Sequence, residues 1–162
     1  MDDITLKQAK LCDAPVLYKL LHQMACDLGK EHEFKGSSKA LEAWGFSKTP
    51  AFESIIAWRG DVALGLVLYF YEFSTWRGAN GIYVQDLYVD VAARGHGIAA
   101  RLISAAIARA VNDRDAIYMR LAVHKENDLG LRYYEAAGFR PISVETMMTL
   151  EGDAFTTKVK GV

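Results

Sequence analysis

Residues Ile82–Val111 read IYVQDLYVDVAARGHGIAARLISAAIARAV and contain three different patterns. Ile82–Val89 is an apolar run rich in β-branched and aromatic residues, which favour a strand. Arg94–Gly97 is a basic glycine loop, and Ile98–Val111 is an alanine-rich run of the kind that favours a helix. The stretch therefore predicts a strand, a loop and a helix in succession.

The apolar residues of the helical part recur at a spacing that places them on one face. They are Ile98, Leu102, Ile103, Ala106, Ile107, Ala110 and Val111. Just before them, Gly95 and Gly97 have no side chain to keep a ligand from the backbone, and the first N–H groups of a helix are unpaired and partly positive. The loop is therefore a candidate phosphate site, although a glycine pair also suits a plain strand-to-helix turn.

Two segments resemble the signatures of one superfamily. Arg94–Ala99 (RGHGIA) resembles the R/Q-x-x-G-x-G/A signature of the GNAT superfamily of N-acetyltransferases. Asn127–Phe139 (NDLGLRYYEAAGF) resembles its second signature, N-x-x-A-x-x-F-Y-x-x-x-G-F. The two occur in the expected order, with room for a helix and a strand between them. The resemblance implies acetyl-CoA as the cosubstrate.

The same resemblance implies which residues hold acetyl-CoA. Backbone N–H groups of the loop, with the charge of Arg94, would bind the pyrophosphate, and the strand before the loop would pair with the pantetheine arm. Asn127 would contact the cofactor and can also cap the helix that it precedes. The implied set is Leu87, Tyr88, Val89, Arg94, Gly95, His96, Gly97, Ile98, Ala99 and Asn127. His96 adds a donor to a phosphate or contributes only its backbone N–H.

The rest of the chain predicts further strands and helices around this centre. They are a strand Ile4–Leu11, a helix capped by Asp13 and ending near Gly29, a short helix capped by Ser38, running through Trp44 and ended by Gly45, a hairpin of Phe52–Trp58 with Val62–Phe73, a strand Ala116–Val123, a helix Asn127–Ala137, a strand Pro141–Leu150 and a terminal turn or frayed tail Glu151–Val162. Gly65 is interpreted as a bulge. The order β-α-α-β-β-β-α-β-α-β is the one that the resemblance implies. It predicts an α/β fold with a mixed, mostly antiparallel sheet and helices on both faces.

Length and composition favour a single N-acetyltransferase domain spanning residues 1–162. The chain has 162 residues, 51% of them hydrophobic, and a net charge of −1. A chain with so small a net charge is not expected to bind nucleic acid or anionic membranes through its overall charge. Cys12 and Cys26 have no metal-ligand spacing, so we expect no metal and reduced thiols in a cytoplasmic protein. His22 and His32 are interpreted as surface residues, and the acidic pair around His32 as a solvated charge run.

Acetyl transfer to an amine needs a base, stabilisation of an oxyanion and an acid for the leaving thiolate. Tyr134 matches the tyrosine of the second signature, and a phenol with a pKa of about 10 is protonated at neutral pH. Asp86 lies in an otherwise apolar strand, where a carboxylate is costly unless it has a role. His124 is a second candidate base, because imidazole titrates near neutrality, although it also fits an exposed or capping histidine.

One branch of the superfamily is similar over most of the chain. Leu41–Phe52, Tyr69–Trp76 and Val84–Val89 resemble the diamine, spermidine/spermine and thialysine acetyltransferases. Those enzymes carry a Glu-Asp pair where this chain has Gln85 and Asp86, and Gln85 cannot accept the amine proton. By this resemblance Asp86, Gln85 and Trp76 line the amine site, and the protein is a homodimer. Trp76 would wall the site by cation–π contact, although a lone tryptophan in a loop also suits a packing role.

The expected function is transfer of acetyl from acetyl-CoA to a small primary amine, by direct attack in a ternary complex. Two rivals stay open from the sequence. One is a non-catalytic acyl-CoA sensor, which would need neither an acid nor a buried carboxylate. The other is a peptide or protein N-acetyltransferase, which would need an open groove.

Overall fold

A computed structural model describes residues 4–142 and 147–160, the last two without their side chains. The chain divides into two compact units, Met1–Val123 and His124–Val162. The first unit contains β1 (Ile4–Gln8), α1 (Ala14–Asp27), α2 (Ser38–Gly45), β2 (Glu53–Arg59), β3 (Val62–Ser74), β4 (Ala79–Val89), α3 (Ile98–Arg114) and β5 (Tyr118–Leu121). The second contains α4 (Asp128–Ala136) and α5 (Gly152–Lys160).

The five strands form one sheet in the order β1-β2-β3-β4-β5. The first four pair antiparallel, whereas β5 runs parallel to β4. A parallel pair needs a crossover connection, and α3 supplies it. The expected mixed, mostly antiparallel sheet is confirmed.

Alternation along the strands divides the core into two layers. Ile56, Leu66 and Leu68 pack with the apolar face of α1. Their neighbours Ile55 and Val67 point the other way and pack with α3. Successive side chains of a strand face opposite sides of a sheet, so helices cover both faces, as the sequence predicts.

Helix α1 begins and ends where the sequence predicts. Asp13 precedes it, Pro15 lies in its first turn, and Gly29 follows it with φ of +69°. Its buried residues are Ala14, Leu17, Leu20, Leu21 and Ala25. The Asp13 carboxylate caps the preceding 3₁₀ turn, where it accepts from the Lys10 N–H at 2.8 Å. It does not cap α1 itself.

The prediction for α2 is wrong by one residue at its start. The Ser37 hydroxyl, and not that of Ser38, accepts from the Ala40 N–H at 3.1 Å. Gly45 is the last helical residue and is buried. A side chain there would meet the ring of Phe52 at 2.4 Å, so this glycine serves close packing and not a left-handed helix end.

Gly65 lies next to a bulge between β2 and β3. Ala57 pairs with Gly65 and Trp58 with Ala63, so Leu64 is the extra residue. A Cβ on Gly65 would lie 2.4 Å from the Tyr88 carbonyl oxygen. Glycine therefore lets β4 approach β3 closely at this point.

Charged and phenolic groups fasten α3 to the sheet. The Arg109 Nε donates to Glu53 Oε2 at 2.8 Å, and the Tyr69 hydroxyl donates to the same oxygen at 3.1 Å. Arg109 also pairs with Asp113 one turn along the helix at 3.2 Å. Because the Tyr69 ring is fully buried, the network satisfies a polar group that would otherwise be costly.

One prediction for the C-terminal part is wrong, and another falls partly outside the described residues. The terminal tail is a helix, α5, whereas the sequence predicts a turn or frayed end. Part of the predicted strand Pro141–Leu150, residues 143–146, lies outside the described residues, and the described residues on either side of that gap are not in a strand. α4 matches the predicted helix, and Gly138 ends it with φ of +92°.

The predicted apolar face of α3 is only partly buried. Leu102 is fully buried, whereas Ile107 is 43% exposed. We expect Leu102→Ala to lower the free energy of unfolding by about 2–5 kcal/mol, because it leaves a cavity in the core. The matched change Ile107→Ala on the same helix should cost less than about 1 kcal/mol. Urea unfolding of both variants measures the difference, and equal losses would contradict this packing.

Candidate active site

A bulge in β4 organises the candidate site. Leu68 pairs with Asp86 and Tyr69 with Val84, so Gln85 has no partner on β3. Because Gln85 is an extra residue, the even-numbered side chains of β4 face one side of the sheet before it and the opposite side after it. Before the bulge Val84 packs on the α3 side, and after it Tyr88 packs on the α1 side.

Beyond the bulge, β4 has an edge that β5 does not cover. β5 pairs only with Gly81–Val84 and ends at Leu121. The Asp90 N–H donates to Leu64 on β3 at 2.8 Å. Because backbone groups alternate along a strand, those of Leu87 and Val89 face away from β3, toward the β5 side. This open backbone is what an extended ligand needs for strand-like pairing.

The glycine loop leaves the start of α3 open. Gly95 and Gly97 have φ of +82° and +71°, a region that favours glycine. The first intrahelical bond runs from the Arg101 N–H to the Gly97 carbonyl at 3.1 Å. No side chain caps the helix. The N–H groups of Ile98, Ala99 and Ala100 therefore have no intrahelical acceptor, which suits a phosphate.

The basic side chains of the loop are held by protein groups. The Arg94 Nε donates to the Val89 carbonyl at 3.0 Å, and its Nη2 lies 3.4 Å from Asp27 Oδ2. The His96 Nδ1 lies 2.9 Å from the Arg94 carbonyl oxygen, so this nitrogen carries the proton. Arg101 donates to the Ile4 carbonyl. Of these cations, Arg94 lies nearest the uncovered edge of β4.

Asp27, the last residue of α1, gathers donors from three parts of the chain. The Tyr88 hydroxyl donates to it at 2.9 Å and the Gln23 Nε2 at 3.0 Å, in addition to its ion pair with Arg94. The Gln23 bond, followed by those of Tyr88 and Arg94, lowers the pKa of Asp27. The carboxylate thus joins α1 to β4 and to the glycine loop, a role that the sequence does not signal.

Asp86 follows the bulge and faces the α1 side of the sheet with its partner Leu68. Burial raises the pKa of its carboxyl group to about 6. None of the described residues donates a hydrogen bond to it or pairs with its charge. A half-buried carboxylate without a partner is costly to the fold, and such groups are enriched at functional sites.

Two aromatic rings lie on the same face as Asp86. Phe70 pairs with Tyr83 across β3 and β4, and their rings stack at a centroid distance of 5.2 Å. Phe70 is two residues from Leu68, the partner of Asp86, so the pair is a near neighbour on this face. Sequence reasoning missed both rings, although the alternation of β3 contained the signal.

Trp76 does not lie near Asp86. It lies in the turn between β3 and β4 and is 99% exposed. Ser74, at the end of β3, is six residues from Leu68, which corresponds to roughly 20 Å along a strand. Gln85 is exposed at the bulge, next to Asp86.

The second unit contains the remaining predicted residues. Asn127 caps α4, where its Oδ1 accepts from the Gly130 N–H at 2.9 Å. The His124 carbonyl accepts from the Asn127 N–H at 2.9 Å, and the His124 side chain is exposed. Both residues therefore have the local structural roles that the sequence left open for them.

Two tyrosines lie side by side on α4. The rings of Tyr133 and Tyr134 meet edge to face, with their centroids 5.3 Å apart. Burial, and then the neighbouring Tyr133, raise the pKa of Tyr134 to about 12. Tyr134 is thus protonated at neutral pH, as an acid must be. The Tyr133 hydroxyl is buried without a hydrogen-bond partner among the described residues.

No helix within the described ranges is long and apolar enough to cross a membrane. The chain is similar to solved structures over nearly its whole length. An integron cassette protein from Vibrio cholerae superposes with a TM-score of 0.81 at 19% identity, covering 99% of both chains. An aminoglycoside acetyltransferase from an uncultured soil metagenomic sample, in complex with sisomicin, gives 0.76 at 16% identity, covering 91% of this chain and 97% of that one. At such identities the likeness concerns the fold alone.

Sequence comparison gives nearer relatives. Thialysine N-epsilon-acetyltransferase from Bos taurus is 30% identical over 148 residues, 86% of each chain. The human spermidine/spermine N(1)-acetyltransferase-like protein 1 is 24% identical over 90% of this chain and 22% of its own length. The model of the acetyltransferase (GNAT) family matches residues 17–139. The chain therefore belongs to the GNAT family and is an N-acetyltransferase of the kind whose relatives include the thialysine and spermidine/spermine enzymes.

Proposed function

We propose that this enzyme transfers the acetyl group of acetyl-CoA to a primary amine of a small cationic substrate, a diamine, polyamine or thialysine-like amino acid. One observation carries the proposal: Asp86 is a half-buried carboxylate without a partner among the described residues, near the stacked rings of Phe70 and Tyr83. An ammonium group supplies the missing charge, and aromatic faces attract the same cation. Relatives named for thialysine and spermidine/spermine agree with this choice.

The cofactor side of the proposal uses the open backbone of the first unit. Leu87 and Val89 pair with the pantetheine arm, as a further strand would. The N–H groups at the start of α3 bind the pyrophosphate, and Arg94 adds positive charge near Val89, to whose carbonyl it is bound.

The reaction proceeds by direct attack in a ternary complex. The amine nitrogen attacks the thioester carbonyl carbon, the C–S bond breaks, and the thiolate takes the proton of the Tyr134 phenol. The ammonium proton passes to Asp86, directly or through water, since Gln85 cannot accept it, and the second proton that the nitrogen loses on amide formation returns to the Tyr134 phenolate. A carboxylate whose pKa is raised by burial is a stronger base than an ordinary aspartate. His124 is the alternative base. By resemblance to the polyamine branch, we also propose a homodimer.

A non-catalytic acyl-CoA sensor and a peptide N-acetyltransferase are the rival functions. The sensor transfers acetyl to no acceptor, and the peptide N-acetyltransferase transfers it to a peptide. Release of free CoA thiol from acetyl-CoA, measured with spermidine, putrescine, thialysine, lysine, an aminoglycoside and an N-terminal peptide, separates the three. We expect release with one or more of the small diamines or amino acids. Binding of acetyl-CoA without any release would favour the sensor, and release with the peptide alone would favour the second rival.

The acid can be tested with a matched pair of tyrosines. Tyr134→Phe should lower kcat about 10²-fold or more, because the thiolate loses its proton donor. Tyr133→Phe removes the neighbouring hydroxyl, which has no partner among the described residues, and should leave kcat within about threefold of the wild type. Steady-state kinetics with the best amine of the panel measure both. Equal losses in the two variants would remove Tyr134 from the acid role.

The phosphate loop can be tested with a matched pair of glycines. Gly95 in the loop and Gly60 in the β2–β3 turn both have positive φ and open space where a Cβ would stand. Each change to alanine strains the backbone by about 1 kcal/mol, but only the Cβ at position 95 would meet a bound phosphate. We expect Gly95→Ala to raise Kd for acetyl-CoA about tenfold and Gly60→Ala to leave it unchanged, by calorimetry. A similar Kd in both variants would show that the loop does not bind the cofactor.

Asp86 makes stability depend on pH in a defined direction. Because burial raises its pKa to about 6, the folded protein binds the proton more tightly than the unfolded chain does. The ionised form therefore costs stability, on the order of 3 kcal/mol above the folded pKa, and the cost vanishes below about pH 4. Asp86→Asn removes the cost. In urea unfolding, the free energy of unfolding of the variant should increase relative to that of the wild type as pH rises from about 4 to about 7. A constant difference between the two would refute the raised pKa.

A further inference from the structure

A second group of reactive side chains lies at the C-terminal end of α1 and is not used in acetyl transfer. The His22 Nδ1 lies 3.6 Å from the Cys26 Sγ, and the His22 Nε2 lies 3.4 Å from Glu31 Oε1. Donor atoms of the three residues, one from each, all lie within 4.8 Å of one another. A nitrogen, a sulfur and a carboxylate oxygen thus converge on one place.

The local fold explains why they meet. His22 and Cys26 are four residues apart on α1, which places their side chains on the same face. The chain then turns back at Gly29, and the Lys30 N–H donates to the Ala25 carbonyl at 2.8 Å. This turn begins the 3₁₀ segment Glu31–Glu33, so Glu31 comes beside the last turn of the helix.

Contrary to the expectation from cysteine spacing, we propose that His22, Cys26 and Glu31 form a binding site for Zn²⁺ or a chemically similar divalent ion. These are the donor types that zinc prefers, and tetrahedral bonds of about 2.0–2.3 Å place neighbouring donors roughly 3.3–3.8 Å apart. The two short distances in the cluster fall in this range. Water completes the tetrahedron. On binding, the ion replaces the thiol proton of Cys26, which passes to the buffer.

Because the two short distances involve different nitrogens of His22, one side chain must adjust for all three donors to reach one ion. The Glu31 side chain is 65% exposed and can move. The imidazole is held on its other side by aromatic rings, with centroids of Tyr18 at 5.8 Å and Phe34 at 5.9 Å. A hydrophobic shell of this kind limits solvent access to a metal site and lowers its local dielectric constant.

A carboxylate, an imidazole and a thiol placed in this order are also typical of a nucleophilic cysteine that a histidine base activates. The position of Glu31 opposes that interpretation, because its carboxylate oxygen lies within 4.8 Å of the other two donors and its negative charge disfavours a thiolate nucleophile. A divalent ion displaces the proton and at the same time neutralises the negative charge that disfavours the thiolate.

Cobalt and zinc titrations of the reduced, metal-free protein test the site. A thiolate-to-cobalt charge-transfer band should grow until one equivalent of Co²⁺ has been added. Added Zn²⁺ should displace the cobalt and abolish the band. Cys26→Ser should remove the band. His22→Asn and Glu31→Gln should each weaken Zn²⁺ binding more than about tenfold, measured by competition with a chromophoric chelator. Cys12→Ser changes the other, exposed cysteine and should leave the band and the affinity unchanged.

Circular dichroism of each variant establishes that it is folded, and His22→Asn and Glu31→Gln decide the question if Cys26→Ser does not fold. Absence of a charge-transfer band in the wild type, loss of the band in Cys12→Ser, or unchanged zinc affinity in the folded His22 and Glu31 variants would each overturn the proposal. None of these readouts depends on acetyl transfer.

Discussion

Every residue of β4 lies opposite a residue of β3 except Gln85, and the first unit is arranged around this exception. The extra residue changes the direction of every backbone group that follows it. Leu87 and Val89 then face the side that β5 has already left, and Asp86 faces α1. A strand that is fully paired on both edges would have neither the open backbone nor the inward carboxylate.

Asp27 connects this strand to the glycine loop. Its carboxylate accepts from Tyr88 on β4 and lies within ion-pair distance of Arg94, which in turn donates to the carbonyl of Val89. Four residues from three segments therefore share one polar network at the end of α1. Such a network fixes the direction of the loop relative to the strand, and the open N–H groups of α3 depend on that direction.

The sequence predicted most of the fold because local signals agree with one another there. The hairpin of β2 and β3, the glycine loop and α3 each combine the right period with the right turn residues. The error at Ser37 concerns adjacent serines, either of which can cap a helix. α5 was missed because its short segment begins with a glycine and contains adjacent threonines, which are weak helix formers. The exposed positions of Ile107 and Val111 show that a helical face can be narrower than its pattern.

The candidate site was predicted less completely, for a physical reason. Residues within one motif are adjacent in sequence, so the loop, Tyr134 and Asp86 could be named in advance. Phe70 and Tyr83 come together only through strand pairing, and Trp76 is separated from Asp86 by the length of a hairpin. The bulge at Gln85 has no local signature at all. Pairing across the sheet, which a single sequence does not display, determines these relations.

The bulge has a consequence for how this chain can change during evolution. Substitutions in β4 alter one side chain at a time, whereas loss of Gln85 would leave a regular strand in which Val84 and Asp86 keep their adjacent partners Tyr69 and Leu68. Tyr88 would stay in the α1 layer and Val89 in the α3 layer, so the core would keep its packing and only the irregularity next to Asp86 would disappear. Acceptor preference can thus diverge by exchange of side chains and also by gain or loss of this one residue, because the core does not depend on it.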